Sequence, residues 1–370
     1  MHNKNYCGTY DILKFTAALM VVFFHLYGLF GLSSIYPITD VVTVYVELFF
    51  ILSGFFLMAH VDTLPSDASE TVVEYLLHKC KGFFGALCIV NAVHFFFFCN
   101  YNGIRTVTGV LSQLWHFKWE FLMLQCGNFI QNPQFNTDYL VGATWYLSAM
   151  MITQAVIYPL ARYYRKGFLY IICPIMIVFV YSFAMQKYGT TNIGKDITYL
   201  LPDSLYRAFA GQCCGVLAYK FQCRAQRTHF FEKKEGAILD TACWFVIPLT
   251  IVLTFSSVRD ANVFCVIPFM VIIASAATGA TPAARMLQHV PAKLCKGMGK
   301  FSLYIYLTHF AVICSVTQYL KEYSLPVRII VCLAGIVIYS SVLYLIDRRR
   351  KNAYPVVIVS VLAVAASLLT

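Results

Sequence analysis

Two ionisable residues stand eleven positions apart inside one apolar run, Lys14 and His25 in LKFTAALMVVFFHL. In an α-helix eleven steps of about 100° come to roughly 1100°, about 20° past three full turns, so both side chains share a face about 16 Å apart. Ionisable groups are costly in a bilayer core and therefore call for a role. A cation near one surface suits an anionic ligand, and an imidazole in the opposite half suits general-base chemistry. Glu47 stands near the start of the next apolar run, at a depth comparable to His25. A carboxylate within reach of an imidazole holds its tautomer, so His25 and Glu47 are the candidate catalytic pair. Two readings stay open for each neighbour of this stripe. Lys14 is either an anion ligand or a cation snorkelling to the bilayer edge, and His25 is either a base or a packed membrane histidine.

Further polar residues recur on other apolar runs. Ser53 and Gly54 fall in the middle of FFILSGFF, where small residues let helices approach closely and where Ser53 is also a candidate substrate contact. Trp145 and Tyr146, in TWYLSAMM, lie toward the outer side of the fourth expected span, where they read as part of an interfacial aromatic belt. Arg207, in LPDSLYRAFAG, needs a carboxylate or an anionic ligand, and Asp203 one turn away is the expected partner. His309, in FSLYIYLTHFAV, faces the same choice as His25, while His94 and His289 are lesser candidates. No nucleophile elbow, phosphate-binding loop, dinucleotide fingerprint or metalloprotease helix is present, and no metal is expected.

The elements that position these residues follow from composition. Hydrophobic types make up 59% of the 370 residues and charged types 12%, against about a quarter charged in a soluble domain. The expected fold is an all-α polytopic transmembrane bundle of about ten spanning helices. The spans are expected at 11–32, 43–60, 82–99, 140–160, 168–186, 200–220, 238–256, 261–280, 301–320 and 327–346. These make a transmembrane domain over 1–350, followed by an apolar tail, 351–370, that is short for a further span. The stretch 105–125 carries Trp115, His116, Lys118, Trp119 and Glu120 among apolar residues and reads as an interfacial helix.

Charge orients the bundle. Of 28 Lys and Arg, twenty fall on the side of the N-terminus, seven on the other, and Arg207 within a span. The positive-inside rule then puts the N-terminus in the cytoplasm of a multi-pass plasma-membrane protein. The net charge of +11 is spread over short clusters between apolar runs, which fits topology and argues against nucleic acid as a partner. The 14 cysteines form no CxxC pair and read as small hydrophobes. The first run lacks a small-residue cleavage site and is expected to stay as a helix.

The stretch YDILKFTAALMVVFFHLYGLF followed by VELFFILSGFFLM resembles the opening of the acyltransferase 3 family of membrane O-acyltransferases. WYLSAMM, YRAFAGQCCGVLAY and SLYIYLTH are similar to later segments of that family. The resemblance implies a ten-helix bundle with an inside N-terminus that takes acetyl groups from cytoplasmic acetyl-CoA, or another acyl-CoA, and delivers them to sugar hydroxyls of cell-surface glycans or their lipid-linked precursors. It places Lys14 where the family has a basic residue, His25 at the position taken as catalytic, and Phe50, Ser53, Gly54 and Phe55 in the second motif. This chain departs from the family after the second helix, where HKCKGFFGALC offers Lys79 and Lys81 in place of an Arg-rich segment leading to a Pro. Lys14, Lys79, Lys81 and Arg162 are then the expected ligands of the acyl-CoA phosphates. Trp145, Tyr146, Arg207, His309 and Ser53 are the expected contacts of the acceptor. A transporter or flippase for a glycan or small anion is the competing reading, since intramembrane His, Glu and Arg also mark transport pathways.

Overall fold

Inside a bilayer every backbone N–H and C=O must find its partner within its own segment, which drives long apolar runs into helices. The computed structural model describes residues 6–32, 40–65, 68–127, 140–193, 197–198, 201–256 and 262–348. The apolar tail expected over 351–370 lies outside the described residues. Among the described residues thirteen helices follow one another, and a short hairpin of two-residue strands, Ile197–Thr198 and Leu201–Pro202, is the only strand pairing.

The helices are α1 (Gly8–Leu29), α2 (Val44–Thr63), α3 (Val72–Cys80), α4 (Phe84–Tyr101), α5 (Val107–Phe121) and α6 (Trp145–Tyr163). Next come α7 (Arg165–Tyr188), which carries a π-helical stretch over Phe168–Ile172, α8 (Asp203–Arg227) and α9 (Lys234–Thr254). The chain closes with α10 (Val266–Ala276), α11 (Pro282–Gln288), α12 (Ala292–Tyr319) and α13 (Leu325–Arg348).

Each of the ten expected spans meets a helix. Among the described residues, seven are long and apolar enough to cross a membrane: α1, α2 with its preceding turn, α4, α7, α9, α12 and α13. The other three, α6, α8 and α10, miss that mark for physical reasons. α6 buries Ser148, Thr153 and Gln154, and α8 buries Asp203, Ser204, Arg207, Gln212 and Gln222. Both lie against other helices, so these polar residues face protein instead of lipid. α10 has only 11 residues and is led in by a 3-10 turn, Asn262–Cys265. Helix α5 occupies the stretch expected at the interface. Its 15 residues reach about 22 Å, short of the ~30 Å hydrocarbon core. It exposes Val107, Leu111 and Trp115 and sets Lys118 over the Trp115 ring at 3.6 Å.

The centre of the bundle is the contact between α2 and α8. It depends on glycine. A Cβ at Gly54 would stand 2.0 Å from the Gln212 carbonyl oxygen, and one at Gly215 would stand 1.9 Å from the Ile51 carbonyl oxygen. The two backbones touch, as small residues allow in membranes. α1 lies along α12, again closely, since a Cβ at Gly299 would meet the Asp11 carboxylate at 2.2 Å. α13 packs on the outside of α12. At the end of the bundle that holds Lys14, Asp62 binds Lys220 at 2.7 Å and also pairs with Arg165, tying α2 to α7 and α8.

Candidate active site

A cavity of about 340 Å³ opens between α1, α2, α3, α6 and α12. Lys14 and Lys79 line it, together with Ser53, Tyr146 and Tyr306 and an apolar wall that includes Phe49, Leu52, Phe56, Phe83 and Leu147. Helix rise places these groups in order of depth. Lys14 is six residues from the start of α1 and Ser53 ten from the end of α2, about 9 Å and 15 Å along their axes. The cavity therefore runs from a cationic mouth to a hydroxyl-lined interior.

At the mouth, Lys14 is held by Asp11 at 3.2 Å and lies 5.2 Å from the Phe56 ring centre. Helix α3 delivers Lys79. Its start is fixed by a capping box in which the Thr71 hydroxyl accepts the Glu74 N–H and the Glu74 carboxylate accepts the Thr71 N–H. A polar cluster anchors it further. Glu70 accepts from Tyr158 at 2.7 Å and pairs with His60 at 2.7 Å, Arg162 donates to Tyr158 at 2.7 Å, and the Tyr75 and Tyr158 rings stack at 4.7 Å. Lys79 itself is half-buried. Desolvation, with a smaller push from the Lys14 charge, brings its ammonium down to about 7. An anion that entered the mouth would restore that charge.

In the interior, Ser53 Oγ and Tyr146 Oη lie 2.9 Å apart, and Ser53 also reaches the Met150 sulfur at 3.2 Å. The Tyr306 hydroxyl donates to the Ala143 carbonyl. The Tyr306 ring packs against Tyr146 on one side and His309 on the other, each at 5.8 Å between ring centres. One aromatic layer thus separates the cavity from a histidine pair. His309 Nε2 stands 3.2 Å from His25 Nδ1, and His25 Nδ1 stands 3.0 Å from the Val21 carbonyl.

The expected residues divide accordingly. Lys14, Lys79, Ser53 and Tyr146 converge on the cavity, and His25 and His309 meet behind it. Lys81 lies exposed at the end of α3, and Arg162 is engaged by the carbonyls of Ala68 and Glu70, so neither lines the cavity.

The expected partnership of Glu47 with His25 is not the one made. Glu47 is wholly buried and accepts from Arg207 Nε at 2.5 Å and from the Tyr181 hydroxyl at 3.2 Å. Arg207 in turn does not pair with Asp203. It donates to Glu47, to the Asn192 side chain at 3.2 Å and to the Thr43 carbonyl at 3.2 Å, with Trp145 beneath it at 5.6 Å. Asp203 meets Tyr188 and Lys187 instead. The reason is helix neighbourhood. Glycines on α2 and α8 bring those two helices together, so the carboxylate on one finds the guanidinium on the other. Trp145 and Arg207 lie against each other, and neither lines the cavity.

Tyr306, Asp11 and the Glu70 cluster were not singled out from the sequence. Two of them carried a local signal. Tyr306 precedes His309 by three residues, and Asp11 precedes Lys14 by three, each on a shared helix face. The Glu70 cluster joins residues some ninety positions apart and carried none.

The acyltransferase 3 family model, described as an acyltransferase domain, matches residues 8–346. No curated protein and no solved structure matches the chain.

Proposed function

The chain belongs to the acyltransferase 3 family and is a multi-pass membrane acyltransferase, and from that premise we propose that it moves an acetyl group from cytoplasmic acetyl-CoA to a sugar hydroxyl of a cell-surface glycan or its lipid-linked precursor. The observation that carries this reading is the cavity itself, with Lys14 and Lys79 at its mouth and Ser53 and Tyr146 in its interior. Acyl-CoA is a polyanion with a long, uncharged arm. Its phosphates match two ammonium groups, and its pantetheine arm matches a passage walled by Phe49, Leu52, Phe56 and Phe83. The mouth stands at the bundle end to which charge assigns the cytoplasm.

The chemistry follows from the groups around the thioester. The hydroxyl pair of Ser53 and Tyr146 is suited to donate to its carbonyl oxygen, where negative charge grows as the carbon becomes tetrahedral. The acceptor comes from the opposite end of the bundle and presents its hydroxyl at the layer of Phe49, Tyr146 and Tyr306. His25 takes the hydroxyl proton, the sugar oxygen bonds to the acyl carbon, and the carbon–sulfur bond breaks. The proton then passes to the departing thiolate, which leaves His25 neutral again. No metal is required, because the proton acceptor and the carbonyl donors are side chains.

Binding separates this function from transport. Purified protein in detergent is expected to bind acetyl-CoA saturably, and Lys14→Ala is expected to weaken that binding about tenfold. Absence of saturable binding by folded protein would favour a transporter.

A further inference from the structure

His25 can serve as a base only if one particular nitrogen carries its lone pair, and the structure contains the group that decides which. Resting on the reading of His25 as the proton acceptor, we propose that His309 is the positioning residue that fixes its tautomer, in the place where a carboxylate was expected.

His309 is wholly buried, and its Nδ1 lies 2.7 Å from the Tyr306 carbonyl oxygen and 3.1 Å from that of Ile305. Carbonyl oxygens only accept, so Nδ1 carries the hydrogen. A neutral imidazole with hydrogen on Nδ1 has its lone pair on Nε2. That lone pair points at His25 Nδ1, 3.2 Å away, while the Val21 carbonyl stands 3.0 Å from the same atom. His25 Nδ1 therefore faces two acceptors and carries a hydrogen. Its Nε2 is left bare. The opposite tautomer would set the Nδ1 lone pair against a carbonyl oxygen and another ring nitrogen, leaving both without a donor.

The arrangement also holds the ring in place. His25 meets Phe310 edge-on at 5.3 Å and His309 at 5.1 Å between ring centres. Once His25 Nε2 takes a proton from the acceptor hydroxyl, the Nδ1–H to His309 Nε2 bond becomes charge-assisted and strengthens. The Nδ1 proton stays where it was, so His309 neither gains nor loses one. It touches neither substrate and acts only through His25. Glu47 is absent from the arrangement because Arg207 and Tyr181 hold it elsewhere.

The test compares His309→Leu and His309→Gln with His25→Ala. The rate of acetyl incorporation into endogenous glycan is measured in membranes supplied with radiolabelled acetyl-CoA. His309→Leu leaves the Val21 carbonyl as the remaining acceptor of the His25 Nδ1–H but removes the ring-nitrogen bond that strengthens as His25 takes its proton, and is expected to lower the maximal rate on the order of a hundredfold. The KM for acetyl-CoA should hold, since His309 does not line the donor cavity. His309→Gln offers an amide oxygen to the same Nδ1–H and is expected to recover the rate to within about tenfold of wild type. An unchanged rate for His309→Leu would overturn the proposal, and so would equal losses in both variants with native melting temperatures. Should His309→Leu fail to fold, nitrogen NMR of histidine-labelled wild-type protein decides. A bare Nε2 on His25 together with a hydrogen-bond coupling between His25 Nδ1–H and His309 Nε2 supports the assignment, and a protonated Nε2, or a bare one without that coupling, overturns it. Full activity in His25→Ala would instead remove the base reading itself, an outcome distinct from normal activity in His309→Leu beside an inactive His25→Ala.

Discussion

Lys79 titrates where cells live, and that has a consequence for the donor. Burial and the Lys14 charge bring its ammonium down to about 7, so it is largely charged at pH 6 and largely neutral at pH 8. A polyanionic donor favours the charged form. Acetyl-CoA binding is therefore expected to weaken as pH rises through 7, on the order of tenfold between pH 6 and 8. At alkaline pH the complex takes up a proton as it forms. Calorimetric titration at several pH values checks this, and Lys79→Arg, charged throughout, is expected to flatten the dependence. The Glu47–Arg207 pair makes a different prediction at the same scale. Both partners are buried, so removing one leaves an uncompensated charge at a cost of about 3–5 kcal/mol. Glu47→Gln is expected to lower the melting temperature or the yield of folded protein. Were Glu47 the orienting partner of His25, the same variant would fold normally and lose turnover alone.

At the scale of elements, the contact between α2 and α8 decides where the polar groups meet. Gly54→Ala would drive a methyl group into the Gln212 carbonyl, and backbone cannot move aside as a flexible side chain does. A destabilisation of about 1–3 kcal/mol is expected, read as a lower melting temperature in detergent. Gly297→Ala on α12 is the control, because a Cβ there meets nothing within 4 Å. That variant is expected to be neutral or slightly stabilising, by up to about 1 kcal/mol. This scale also marks how far the sequence could be read. Hydropathy located a helix at each of the ten expected segments, seven of them long and apolar enough to cross, because the need to pair backbone groups in lipid acts on each run alone. Helical period placed Lys14 and His25 on one face for the same reason. Which helices stand side by side was not legible, since Gly54 and Gly215 act only once α2 and α8 have met. Glu47 therefore found Arg207, 160 positions away, and His25 found His309, 284 away.

Across the whole molecule, charge and cavity point the same way. The cationic mouth lies at the bundle end where Lys and Arg gather, and His25 lies toward the other end. With that mouth in the cytoplasm, an epitope inserted after the exposed Thr228 is expected to bind antibody only in permeabilised cells. One inserted after the exposed Glu322 is expected to be reached on intact cells. The reverse pattern would place the donor mouth outside and exclude cytoplasmic acetyl-CoA. Acylation of a surface glycan through His25 would leave a mass signature on that glycan. Mass spectrometry of surface glycans tests it most directly, in cells making wild-type protein or His25→Ala in equal folded amounts. Acetyl mass increments are expected with wild type and their loss with His25→Ala, whereas equal acetylation in both would rule His25 out as the proton acceptor.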